Sequence, residues 1–331
     1  MTMRILVIRY RYLGDTVLAI PFLRNLRAAC PDATFDVLFE PRSGEVLAAC
    51  PYLDELIAWH RRPPAPGART PECRGYWPAI RFLRRRRYDK AYVLRRAVSS
   101  VVLPWLAGIP RRVGFAREGA QLLLTRAAPY RATGHEVERF LDLLRADGLP
   151  VRDAHNENWT TPAAEATVAA AFPAGAGPQV FLCAVSTDPV KQWPTDRMAG
   201  LLRWLIDDRG ATVHFCGAPA DQSAHAAIIA AATPLSRPPV EWSHRLDLAA
   251  TLALLRRMHL VVGIDTGQLH LAASFHVPVV GLYGPQDPVH WHPWDTRHVA
   301  VRAPQDETGR WRMDRLALST VQAAVDQLLP R

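Results

Sequence analysis

An apolar strand, a hydroxyl-glycine corner, a helix and a second apolar strand follow one another in Val262-Gly263-Ile264-Asp265-Thr266-Gly267-Gln268-Leu269-His270-Leu271-Ala272-Ala273 and Val279-Val280-Gly281-Leu282-Tyr283-Gly284-Pro285. The two strands lie about one βαβ length apart, which restricts this part of the chain to a parallel sheet covered by helices. The corner is also an anion cradle. The first amides of a helix have no partner within it, and with the positive dipole end they point at whatever lies beyond the strand. Thr266 adds a hydroxyl donor and Gly267 leaves room for close approach. An ordinary N-capped helix after a strand reads the same way, so other residues must decide.

With 331 residues, 49% of them hydrophobic, the chain can bury two ordinary cores, and two α/β domains are expected. No apolar run reaches the roughly 20 residues of a membrane helix, and the apolar part of Met1–Arg9 is too short for a secretory signal. A cytoplasmic protein is expected. Cys30, Cys50, Cys73, Cys183 and Cys216 are odd in number and widely spaced, which fits reduced cysteines better than a disulfide framework.

The basic excess is confined to one half. Residues 1–150 hold 25 Arg and Lys against 14 Asp and Glu, whereas residues 151–331 hold 15 against 17. One domain is therefore suited to an acidic partner such as nucleic acid, anionic lipid headgroups or a phosphorylated glycan. A solvated surface in an arginine-rich chain would give runs such as Arg84-Arg85-Arg86-Arg87 equally well.

Apolar periodicity predicts strands at 4–9, 34–39, 55–59, 90–94 and 113–115, with helices at 15–29, 79–86 and 134–147. Residues 148–178, rich in Pro, Gly and Ala, are the expected connection, which bounds the domains at 1–160 and 175–331. A second alternation follows: strands at 180–185, 211–216, 260–264 and 279–283, helices at 195–205, 220–232, 246–256 and 268–275. A terminal amphipathic helix at 315–329 is a candidate to pack back on the N-terminal domain. Two doubly wound halves of this kind carry their ligands at the C-terminal ends of their strands.

At the end of the first strand, Arg9-Tyr10-Arg11-Tyr12-Leu13 leads to Gly14-Asp15-Thr16, with no Gly-x-Gly-x-x-Gly. Asp15 is either an N-cap or a general base in a cleft. In the second half, the strand at 180–185 leads to Ser186-Thr187-Asp188-Pro189-Val190-Lys191-Gln192-Trp193-Pro194. Lys191 is one of two lysines, with Lys90, among 38 arginines. A compact ammonium amid so many guanidinium groups suits a diphosphate oxygen.

Together Gly14-Asp15, Lys191-Gln192-Trp193-Pro194, Asp265-Thr266-Gly267-x-x-His270 and Tyr283-Gly284-Pro285-x-Asp287-Pro288 resemble glycosyltransferase family 9, the ADP-heptose:lipopolysaccharide heptosyltransferases, over the whole chain. The resemblance implies the GT-B fold, two Rossmann-like domains facing across a cleft, with acceptor on the N-terminal one and sugar nucleotide on the C-terminal one. It implies an inverting transfer without metal or other cofactor. Asp15 would be the general base, with Arg9, Arg11, Arg61, Arg62 and Arg117 on the acceptor side. Ser186, Thr187, Lys191, Asp265, Thr266, Gly267 and His270 would hold the donor's diphosphate and sugar. Asp221 would take the ribose, although it is one methylene shorter than the family's Glu, and Leu246 would pack on adenine. The partners implied are a nucleotide sugar and a phosphorylated glycolipid, with peripheral contact at the inner membrane face.

Other classes fit less well. A nucleic-acid binder would explain the basic half, yet zinc spacing, an RNP-like strand and a recognition helix are missing from the sequence. A relative using another nucleotide sugar, a protein or a natural-product acceptor shares the scaffold. His135-Glu136-Val137-Glu138-Arg139 lacks the second histidine of a zinc-hydrolase helix, and His290-Trp291-His292 lacks a clear third ligand. The apolar run 97–110 between Arg95-Arg96 and Arg111-Arg112 is too short to span a bilayer and reads as a buried helix rather than a membrane-dipping one.

Overall fold

The computed structural model describes residues 2–9, 12–60, 73–117, 119–173 and 177–329. The chain divides into two compact units, Met1–His155 and Asn156–Arg331. In the first, the strands are β1 (Arg4–Ile8), β2 (Thr34–Phe39), β3 (Glu55–His60), β4 (Cys73–Arg74), β5 (Lys90–Val93), β6 (Arg111–Phe115) and β7 (Arg126–Ala128). They form one sheet in the order β4-β3-β2-β1-β5-β6-β7, with every pairing parallel. Its helices are α1 (Leu13–Val17), α2 (Ile20–Ala29), α3 (Pro41–Gly44), α4 (Tyr76–Arg86), α5 (Val98–Leu106) and α6 (Glu136–Ala146).

The second unit repeats the plan with β8 (Gln179–Cys183), β9 (Thr212–Phe215), β10 (Val240–Glu241), β11 (Leu260–Ile264), β12 (Val279–Tyr283) and β13 (His298–Arg302). Their order, β10-β9-β8-β11-β12-β13, is the 3-2-1-4-5-6 of a dinucleotide-binding sheet, again parallel throughout. Its helices are α7 (Pro162–Ala169), α8 (Thr195–Arg203), α9 (Gln222–Ala232), α10 (Leu248–Leu255), α11 (Gly267–Ala273), α12 (Pro288–Trp291) and α13 (Leu318–Leu328).

Burial explains why these strands read as continuous apolar runs. Every residue of β8, β11 and β12 is buried, because helices cover both faces of a parallel sheet. In the first unit Leu6, Ile8 and Val93 pack under α4 and α5. On the opposite face Tyr92 meets Phe22 of α2 edge-on at 5.3 Å.

Several elements depart from the periodic reading. The helix expected over 15–29 is two, α1 and α2, because Pro21 opens a new helix at its first turn, where a missing N–H does no harm. The connection holds α7, whose Thr161 cap accepts from the Ala164 amide and which packs on α10. The terminal helix, α13, buries Val321, Ala324, Val325 and Leu328 in its own unit's core against β12 and β13. Helix α5 buries Ser100, Val101, Leu103 and Pro104 while leaving Trp105 exposed.

Candidate active site

In each sheet the strand order reverses at one point, between β1 and β5 in the first unit and between β8 and β11 in the second. The loops leaving such neighbouring strands diverge and open a crevice where ligands bind. Asp15 follows β1, Lys191 follows β8 and Asp265 follows β11, so the sequence-derived candidates stand at these two points.

In the first unit the N-cap of α1 is Tyr12, held at φ 55° with no capping bond from its side chain. Asp15 is therefore not a cap. Its carboxylate, one-fifth exposed, forms an ion pair with the Arg9 guanidinium, and Arg9 Nε also donates to the Asp15 carbonyl at 3.2 Å. Arg9 is 4% exposed and lies 5.2 Å over the Phe140 ring. Both bonds and the stacking aim Arg9 at Asp15. Arg11, Arg61 and Arg62 lie outside the described residues.

Arg117 is exposed beyond β6, 5.5 Å from the Tyr130 ring. Tyr130 is the centre of a cluster that sequence reasoning missed. Arg96 and Arg139 lie 4.6 and 4.4 Å from the same ring, and the Tyr130 hydroxyl donates to Glu136 at 2.9 Å. Burial and the Glu136 charge push the Tyr130 hydroxyl up to about 12. The His-Glu-x-Glu-Arg run thus has a structural use: His135 Nδ1 caps α6 by accepting from the Val137 amide, and Glu136 pairs with Arg139 at 3.0 Å. The only sequence signal was that (i, i+3) charge pair.

In the second unit the loop after β8 is braced by Gln192, which donates to the Ala184 carbonyl at 2.6 Å and accepts from the Ser186 amide at 3.1 Å. Ser186 Oγ accepts from the Asp188 amide at 3.1 Å, and Thr187 is exposed. Trp193 anchors the loop from below. It is fully buried, and its indole donates to the Leu316 carbonyl at 3.1 Å.

Lys191 projects from this loop to Asp265. Its ammonium lies 2.7 Å from Asp265 Oδ2 and 3.3 Å from the Asp265 carbonyl, which leaves one of its three N–H donors for another acceptor. Beside it Thr266 opens α11 without a capping bond, its buried hydroxyl facing the Cys183 thiol. Gln268 Nε2 donates to the Cys216 carbonyl at 2.7 Å and so ties Gly267 and the start of α11 to the end of β9. His270 is buried on the same helix. Tyr283, fully buried, donates to the Trp291 carbonyl at 3.1 Å, and burial together with the Asp265 charge holds its hydroxyl well above the usual tyrosine range.

At the β9 edge the Asp221 carboxylate accepts from the Ala218 amide at 2.8 Å, so one oxygen closes its own turn. Leu246, half-buried, lies in the loop between β10 and α10. That loop has a brace which the sequence did not reveal: Glu241 accepts from the Ser243 amide at 2.7 Å and pairs with His225 Nδ1 at 2.9 Å. Although burial works against it, these bonds hold the Glu241 carboxyl below its ordinary value. His292 Nδ1 lies 2.9 Å from the Pro288 carbonyl, and its ring stacks on His298 at 4.8 Å.

The sequence model of glycosyltransferase family 9 (heptosyltransferase) matches residues 77–316. The chain belongs to that family. It is a glycosyltransferase of the GT-B fold class. Among relatives, lipopolysaccharide heptosyltransferase 2 of Escherichia coli K12 is 29% identical over 86% of this chain and 84% of that protein. The solved structure of E. coli ADP-heptose lps heptosyltransferase II superposes with a TM-score of 0.80 at 26% identity, covering 99% and 98% of the two chains. A family 9 glycosyltransferase of Veillonella parvula has a TM-score of 0.84 at 21% identity over 99% and 97%, a likeness of fold. In this family 9 chain the matched segment carries Lys191, Asp265 and Thr266, while Arg9 and Asp15 precede it.

Proposed function

We propose that the protein transfers a heptose from ADP-heptose to a hydroxyl of the lipopolysaccharide inner core, inverting the anomeric centre without a metal ion. The observation that carries this reading is the pairing of two prepared groups with two switch points: a carboxylate oriented by a buried arginine, and an ammonium held beside a buried hydroxyl at a helix start. The relative named lipopolysaccharide heptosyltransferase 2 supplies the acceptor class.

In this scheme the Asp15 carboxylate takes the proton of the acceptor hydroxyl as that oxygen bonds to C1 of the heptose. The C1–O bond to the β-phosphate breaks, and ADP leaves with the electron pair. Arg9 holds Asp15 in place. Lys191, the Thr266 hydroxyl and the amides around Gly267 take up the charge growing on the diphosphate, which is largest in the transition state. Ser186 and Thr187 would complete the diphosphate contacts, and His270 would line the sugar pocket. Asp221 and Leu246 would meet ribose and adenine. Arg117 belongs to the acceptor side, where a phosphorylated glycolipid approaches from the cytoplasmic face of a membrane.

A positioned base contributes about 10²–10⁴-fold to such a step. Asp15→Asn should therefore lose turnover by that factor while binding ADP as the wild type does. ADP release and sugar transfer are measured with ADP-heptose and truncated core glycans in the presence of EDTA. A fully active Asp15→Asn enzyme refutes the base, loss of wild-type activity in EDTA refutes the metal-free scheme, and turnover only with a different nucleotide sugar replaces the donor.

A further inference from the structure

We infer that the outer face of α4 and α5 docks on an anionic lipid surface. The two helices lie side by side on one face of the first sheet, tied by Tyr76 Oη donating to the Ser99 carbonyl and Arg84 Nη2 donating to the Leu106 carbonyl, both at 2.7 Å. Their inner sides are used up in the core: Ala79, Ile80 and Leu83 from α4, Val101 and Leu103 from α5. What remains outward is unusual for a water-facing surface. Trp77 is 66% exposed and Trp105 47% exposed, so two neighbouring helices on one face of the sheet each present an indole to solvent.

The charge of the segment that holds both helices is nearly all of one sign. Between residues 73 and 117 the chain has twelve basic residues and a single acid, Asp89, whose carboxylate accepts from the Arg4 amide. On α4, Trp77, Arg81, Arg84 and Arg85 recur at helical spacing, so they share the exposed side. Arg81 and Arg85 form no ion pair among the described residues; Arg85 borders a pocket that also holds Asp36, Asp54 and Glu55, where Glu55 neutralises Arg86. An indole with its polar edge toward water and its body in the acyl boundary, sharing a helix side with guanidinium groups, matches the chemistry of a bilayer interface rich in acidic headgroups.

This face bears none of the residues assigned to sugar transfer, and its test needs no sugar nucleotide. Failure of the docking and failure of the glycosyltransferase reading are therefore separate results.

The full-length protein is co-sedimented with vesicles of phosphatidylcholine alone and with vesicles containing about one-third phosphatidylglycerol. Binding to the acidic vesicles only is expected, weakening as salt is raised. Each arginine near such a surface is worth about fivefold, so Arg81→Gln/Arg85→Gln should bind about 25-fold more weakly. Trp77→Ser/Trp105→Ser should bind about tenfold more weakly and lose the quenching of tryptophan fluorescence by brominated lipid. Both variants should keep the wild-type melting temperature and transfer to a soluble acceptor. Equal binding to the two kinds of vesicle, wild-type binding by both folded variants, or displacement of vesicles by single-stranded RNA at equal charge would overturn the proposal.

Discussion

Both lysines of this arginine-rich chain reach an aspartate of low exposure: Lys191 reaches the buried Asp265, and Lys90 reaches the partly buried Asp147 at 2.5 Å. A compact ammonium fits a narrow, mostly buried slot where a planar guanidinium would not. Rarity alone therefore pointed equally to a structural lysine and to a functional one, and only the neighbours of Lys191 separate them. His214 shows a different residue-scale constraint. It is fully buried between Phe172 and Trp242, with Nδ1 accepting from the Trp242 indole at 3.0 Å and Nε2 facing Gln179 Oε1 at 2.7 Å. The indole is a donor only, so the ring proton must sit on Nε2. Burial lowers the ring from the ordinary 6.5 to about 4. Below the ordinary value the unfolded chain binds a proton that the native chain refuses, so this contribution is complete above pH 6.5 and declines as pH falls toward 4. Between pH 7 and pH 5 the loss should be about 2 kcal/mol, and His214→Gln should remove that part of the slope in urea denaturation at the two pH values. An unchanged slope would place the ring's charge elsewhere.

The loop from Ser186 to Trp193 is positioned by what lies beneath it. Trp193 packs with Leu182, Met198 and Leu316 in the second core, so its burial sets where Lys191 emerges two residues earlier. Trp193→Ala should destabilise the protein by about 3–5 kcal/mol and weaken ADP binding as the loop loses its anchor. Chemical denaturation and ADP titration check both, and undiminished ADP affinity would uncouple Lys191 from the core. The β11 strand has a comparable requirement at Gly263, paired with Cys183 at φ 154°, where an added Cβ would lie 2.1 Å from the Cys183 carbonyl oxygen. Long apolar strands such as β8 and β12 were legible because their burial is continuous. The two-residue β4 and β10 were not, since two residues have no period, and β7 and β13 carry charged and exposed positions that hide one.

Each unit of the molecule has its own sheet, its own core and its own reversal of strand order. If the donor is bound by the second unit alone, ADP should slow amide hydrogen exchange at 184–192 and 264–270 and leave β1 to β7 unchanged. Protection confined to the first unit would reverse the assignment of substrates to units. The amino-acid sequence by itself determined the alternation of strands and helices, the division into two units, the family motifs and the basic bias of the first half, because each is a matter of order and spacing along the chain. Only the tertiary structure decided that Asp15 pairs with Arg9 instead of capping a helix, that Lys191 meets Asp265, and that α4 and α5 turn two indoles outward. Those contacts join residues brought together by sheet order and helix packing, and no local period encodes which side chains will meet.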